Sequence, residues 1–137
     1  MEPRVKLWLE QDGRLVVSDY RARLLRLIQQ TGSLAQAAQA MQLSYRRAWG
    51  KIRELERNHG AMLVHSDAGG PGGGSSRLTP EAERLLDRYE AFAAELTAAA
   101  RELHAKHFGE GESLALGPSR QSGEQSEAVA DDSVYAP

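Results

Sequence analysis

Between Gly32 and Gly60 the chain reads GSLAQAAQAMQLSYRRAWGKIRELERNHG, and no other stretch limits the fold so tightly. Ser33 opens a short run, SLAQAAQAM, with Gln36 three residues on as its capping-box partner. Leu34, Ala37, Ala38 and Met41 would lie inward. After Met41-Gln42-Leu43, Ser44 caps a second run in which Ala48, Ile52 and Leu55 keep the i, i+4, i+7 spacing of a buried helical face. Two helices joined by so tight a turn must cross closely, and the crossing needs small residues, which Ala37 and Ala38 supply. Residues 33–58 therefore read as a helix-turn-helix.

The flanks fit that reading. VKLWLEQDGRLVV (Val5–Val17) alternates about Asp12-Gly13, a strong hairpin signal, with Val5, Leu7 and Leu9 on one face and Lys6, Trp8 and Glu10 on the other. Ser18 or Asp19 can cap a first helix over 19–32, in which Leu24, Leu25, Leu27 and Ile28 form a stripe that Gly32 closes. Ala61–Val64 reads as a short strand, the glycine-rich loop follows, and Arg77-Leu78 can return as a second strand, the whole element spanning 61–78. Thr79-Pro80-Glu81 starts a helix over 79–107. Its Leu85, Tyr89, Phe92, Leu96 and Leu103 keep a spacing close to a coiled-coil seam, so it is expected to dimerise. The expected class is mainly α with small β elements: a helix-turn-helix with an N-terminal β-hairpin and a long C-terminal dimerisation helix, over residues 1–108.

The chemistry belongs to the second helix of the pair. Its N-terminal end must present polar and basic side chains if it is to enter a DNA major groove, and Ser44, Tyr45, Arg46 and Arg47 stand there. Lys51, one turn on, points away from the apolar stripe. Arginine can read guanine edges, while helix N-terminal amides and the cap hydroxyls of Ser33 and Ser44 favour phosphate. Trp49 reads as packing at the core edge rather than stacking at the DNA backbone, while Tyr45 can meet a phosphate or a thymine methyl, which the sequence leaves open. Ser75, Ser76 and Arg77, at the base of the glycine-rich loop, are that element's candidate contacts. That loop, with Gly69, Gly70, Gly72, Gly73 and Gly74 around Pro71, allows turns and close backbone approach.

A net charge of −2 argues against a polyanionic partner until it is resolved along the chain. From Gly109 onward six acids face one base, Arg120, so this stretch carries −5 and residues 1–108 carry +3. Residues 109–137 read as an acidic, disordered tail. A module that binds protein, its tail or a partner replacing DNA, is the rival reading. With no cysteine, thiolate metal sites and disulfides are excluded. No stretch has the length and apolarity of a membrane span, and the start is not a secretory signal, so a cytoplasmic protein is expected.

Enzymatic readings fail on particular residues. The glycine loop has a phosphate-loop spacing, but Ser75 stands where the lysine belongs. His104 and His107 with Glu102 lack a firm third ligand, and His59 and His65 lack evident partners. Neither catalysis, a metal nor a cofactor is expected.

The segments GSLAQAAQAMQLSYRRAWGKIRELE and LVHSDAGGPGGGSSRLTPEAERLLDRYE resemble the DNA-binding domain of ModE-type, molybdenum-dependent transcriptional regulators. Gly32-Ser33, Leu43-Ser44-Tyr45, Ala48-Trp49, the glycine loop and Leu78-Thr79 carry the likeness, which covers about residues 5–107. A looser similarity to the LysR-type helix-turn-helix covers 24–66. The resemblance implies a winged helix-turn-helix, with His65–Arg77 as the wing, and a homodimer on double-stranded DNA, at an inverted-repeat operator. One departure is Gln42, where such turns often carry glycine. A second is the C-terminal region: family members add β-barrel modules that bind molybdate, and the polar residues after 108 are too few for one. Molybdate binding within this chain is therefore not expected, despite GPSRQSG (Gly117–Gly123).

Overall fold

The computed structural model describes residues 1–67 and 74–113. The chain opens with an antiparallel hairpin, β1 (Trp8–Gln11) and β2 (Arg14–Ser18), followed by α1 (Asp19–Thr31), α2 (Leu34–Ala40) and α3 (Tyr45–His59). A second antiparallel pair, β3 (Val64–Asp67) and β4 (Ser75–Leu78), leads into α4 (Pro80–Ser113). Three helices, a two-stranded wing and a final helix make this a winged helix-turn-helix. The core is one cluster, drawn from β2 (Val16, Val17), α1 (Leu24, Leu25, Ile28), α2 (Leu34, Ala37, Ala38), α3 (Ala48, Ile52, Leu55) and the start of α4 (Ala82, Leu86, Tyr89). Among the described residues no helix is long and apolar enough to cross a membrane.

The first hairpin turns through Asp12 and Gly13, both at positive φ (52° and 74°), the backbone that Asp-Gly favours. Strand β1 is shorter than the alternation suggested: Val5 and Leu7 precede it, and Val5 is exposed. The ladder slips between Leu9 and Glu10, which pair with Val17 and Leu15, so Val16 is an extra residue on β2. The Leu15 and Val16 carbonyls are taken up by Arg21 Nη1 at 3.1 and 3.4 Å, and Asn58 Nδ2 also donates to Leu15 O at 2.7 Å.

Each helix begins on a hydroxyl. Ser18, Ser33 and Ser44 accept from the third amide beyond, in α1, α2 and α3, and Thr79 does the same for Ala82. Helix α2 ends in a Schellman arrangement, with Gln42 N–H donating to Gln39 O and Leu43 N–H to Ala38 O. Gln42 takes the left-handed position at φ 57°, so the turn demands the backbone that glycine supplies without strain. We expect Gln42→Gly to raise stability slightly, by about 0.5 kcal/mol, because relief of that strain exceeds the chain entropy glycine adds to the unfolded state. Urea unfolding reads this directly; an unchanged or lowered midpoint contradicts it.

Two boundaries differ from the sequence expectation. Ala61–Val64 is not a strand: pairing starts at Val64 and runs to Asp67, and β4 begins two residues earlier than Arg77. The helix expected to stop near His107 continues to Ser113, past the shift in composition at Gly109, whose place in a helix costs only about 1 kcal/mol. The tip of the glycine loop and the tail beyond Ser113, with Gly117–Gly123, lie outside the described residues.

Candidate nucleic-acid interface

Helix α3 is sharply two-sided. Ala48, Ile52 and Leu55 are buried, while Ser44, Tyr45, Arg46 and Arg47 are exposed at its N-terminal end, Tyr45 at 54%. The Ser44 hydroxyl accepts from Arg47 N–H at 3.1 Å, which leaves its own proton for a second partner. Among the described residues neither Arg46 nor Arg47 pairs with a carboxylate. Both acids of α3 are turned to other work: Glu54 pairs with Arg21 at 3.0 Å, and Glu56 accepts the Leu63 amide at 2.7 Å. Glu54 and Glu56 therefore do not neutralise the helix's leading end.

The aromatic and basic residues that follow are engaged within the fold. Trp49 is partly buried against the core, edge-on to Tyr45 (centroids 6.4 Å apart), and the Arg53 guanidinium lies 4.7 Å over its ring. Lys51, expected to stand clear of the apolar stripe, is half-buried with its ammonium 4.9 Å over the Tyr20 ring. Its cation is held back against α1 because a ring face attracts it.

Cross-strand partners in the wing are His65 with Arg77, Ser66 with Ser76 and Asp67 with Ser75. Ser75 and Arg77 face outward, whereas Ser76 and Leu78 face in. Ser76, expected to contact DNA through its side chain, is instead buried, its hydroxyl 3.2 Å from that of Ser66. Its amide donates to Gly32 O at 2.8 Å, fastening β4 to the turn between α1 and α2, beside the Ser33 cap. Thr79 completes the root of the wing: its amide donates to Leu63 O and its hydroxyl to Met62 O, both at 2.9 Å.

The seam on α4 divides at Tyr89. Tyr89 is buried in the protein's own core, donating from its hydroxyl to Leu7 O at 2.7 Å and meeting Asp19, and Leu85 packs on that core as well. These two serve the domain itself. From Glu90 to Gly109 no residue of α4 is buried; Phe92, Leu103 and Phe108 are about half exposed. Arg26 of α1 bonds Glu90 at 2.7 and 3.0 Å where the helix leaves the domain.

Several positioning groups escaped the sequence reading. Arg21, 2% exposed, sits on the same stripe as Leu24, Leu25 and Ile28, a signal that a cation at i of an i+3, i+4, i+7 face must be paired. His59 does have a partner, Glu81, at 3.2 Å. Hydrogen bonds from Arg84 and then His59 hold the Glu81 carboxyl below the usual carboxylate range. No cluster of metal-ligating side chains is present among the described residues, and His104 stacks on Phe108.

Comparison with known proteins agrees with this geometry. Residues 21–83 match the family described as bacterial regulatory helix-turn-helix protein, lysR family. The chain is 37% identical over 93 residues to the transcriptional regulator ModE of Yersinia pestis, covering 68% of this chain and 35% of that protein. It is 36% identical over 86 residues to ModE of Haemophilus influenzae (63% and 34%). It is 33% identical over 93 residues to the DNA-binding transcriptional dual regulator ModE of Escherichia coli K12 (68% and 36%). The chain thus spans about a third of the length of these curated relatives. With a helix pair and wing of this build and relatives at this identity, the chain carries the winged helix-turn-helix domain of the ModE-type transcriptional regulators.

Proposed function

We propose that the chain is a dimeric, sequence-specific DNA-binding transcriptional regulator in which α3 enters the major groove. The observation that carries this is the leading end of α3, where Arg46 and Arg47 stand exposed and unpaired while Glu54 pairs with Arg21 and Glu56 with the Leu63 amide. Ser44 and Ser33, each at the start of a helix, offer hydroxyls to phosphate, and the Arg77 guanidinium faces outward from the wing, beside Ser75, whose hydroxyl donates to Asp67 at 3.5 Å. Lys51 and Ser76 drop out as direct contacts, held by Tyr20 and Ser66 respectively. The exposed half of α4, with Phe92, Leu96 and Leu103, is the dimer contact, which makes an inverted repeat the fitting operator.

Anisotropy titration of a duplex selected from a random pool tests the reading. Binding should weaken with salt with a log–log slope of about −4 or steeper, as several released counterions require. A flat slope, or no binding at low salt, overturns it. Arg46→Ala and Arg47→Ala should each cost about 1–3 kcal/mol; a loss confined to one operator position marks a guanine contact, a uniform loss a phosphate contact.

A further inference from the structure

We propose that Glu56 is the positioning residue that sets the angle of the wing relative to the recognition helix. The proposal deepens the DNA-binding reading and rests on it for its consequence at the operator. Glu56 sits in the last full turn of α3 with its side chain nearly enclosed. One carboxylate oxygen, Oε2, accepts the amides of Leu63 at 2.7 Å and Val64 at 3.3 Å, the residues where the chain turns into β3. The other, Oε1, accepts from Arg53 at 3.4 Å. Arg53 in turn lies over Trp49, and Trp49 meets Tyr45 edge-on. Tyr45, Trp49, Arg53 and Glu56 follow one another at helical spacing, so one face of α3 forms a continuous ladder from its leading end to the wing root.

The two wing strands are anchored to different parts of the domain. Strand β4 is tied through Ser76 to Gly32, at the turn between α1 and α2. Strand β3 is tied through Glu56 to α3 itself. A hairpin pinned at both strands has one orientation; released at one, it can pivot about the other. A carboxylate accepting two amides is a strong, directional tether because the charge strengthens both bonds. Wing contacts and recognition-helix contacts must fall at a fixed separation along the duplex, so the tether sets that register.

The test uses Glu56→Ala and Glu56→Gln in the whole chain, with two measurements. Residual dipolar couplings of the free protein report the orientation of 64–67 and 75–78 relative to α3. Glu56→Ala should reorient the wing and raise amide exchange at Leu63 and Val64 about tenfold or more, as loss of a charge-assisted acceptor requires. Glu56→Gln, which keeps an oxygen for the amides, should restore the wild-type orientation. On a selected operator, hydroxyl-radical footprints of Glu56→Ala should lose flanking protection while protection under α3 remains, and Glu56→Gln should recover the flank. An unchanged wing orientation in Glu56→Ala overturns the proposal, as does equal loss over flank and centre in both variants. If the wild-type chain protects no duplex, the DNA-binding reading fails, and the orientation of the free wing still decides the role of Glu56.

Discussion

Glu54→Gln lowers the unfolding free energy by about 2–3 kcal/mol, far more than a half-exposed side chain on a helix surface ordinarily controls. The cause is its partner. Arg21 is 2% exposed, its guanidinium 3.0 Å from the Glu54 carboxylate and bonded to the Leu15 and Val16 carbonyls. Those carbonyls face it because of the bulge in β2, so the cation is built into the junction of hairpin, α1 and α3. Removing the carboxylate takes away the anion 3.0 Å from a buried cation, and weakening the compensation of a buried charge is costly. Arg21→Met, of similar volume, removes the charge but takes a donor from the Val16 carbonyl and leaves Leu15 O to Asn58, so it is also destabilising. The double variant should lose less than the sum of the two, since each single change strands a group that the other relieves. Urea unfolding of the four proteins checks this. A loss within about 0.5 kcal/mol for Glu54→Gln shows that the pair is an ordinary surface contact.

Why that pair was not legible in the sequence, while the helix pair beside it was, is a matter of what periodicity encodes. Spacing reports which positions share a face, and it locates Ala48, Ile52 and Leu55 and the Ser33, Ser44 and Thr79 caps. The first cap it leaves between Ser18 and Asp19, and the turn position at Gln42 comes from the family resemblance. Spacing does not report what covers a face. Tyr89 and Phe92 lie on one stripe of α4, yet the first closes its own core and the second stands in solvent. Nor does a charge count report direction: Glu54 and Glu56 dilute the basic helix in sequence and are withdrawn from it in space. Ala61–Val64 reads as a strand because Leu63 and Val64 are apolar, but the Leu63 amide goes to Glu56 and the ladder with β4 begins only at Val64. Ser76 was readable. It stands two residues before the inward Leu78, and strand alternation puts both on one face.

Placing charge on the free half of α4, Phe92→Glu with Leu96→Glu, should convert the chain to a monomer and reduce operator affinity by about a hundredfold or more, since two linked half-site contacts become one. From Pro80 to Ser113 the helix runs about 50 Å, a length no single domain of this size needs. Its first turns are used: Ala82, Leu86 and Tyr89 are buried, and Arg26 clamps Glu90 at the point where the helix departs. Past that point the apolar stripe continues through Phe92, Leu96 and Leu103 with none of them buried, Phe92 and Leu103 each close to half exposed. Exposed apolar side chains at helical spacing stabilise nothing in a monomer and cost solubility, whereas packed against a second copy they close a seam. The two changes lie outside the core cluster, so unfolding of the monomeric domain should stay cooperative and helix content within the globular part should be preserved. Sedimentation equilibrium at micromolar concentration separates the outcomes. A variant that remains dimeric refutes the α4 seam. A monomer that keeps full operator affinity shows instead that one winged helix suffices for recognition and that the operator is not an inverted repeat.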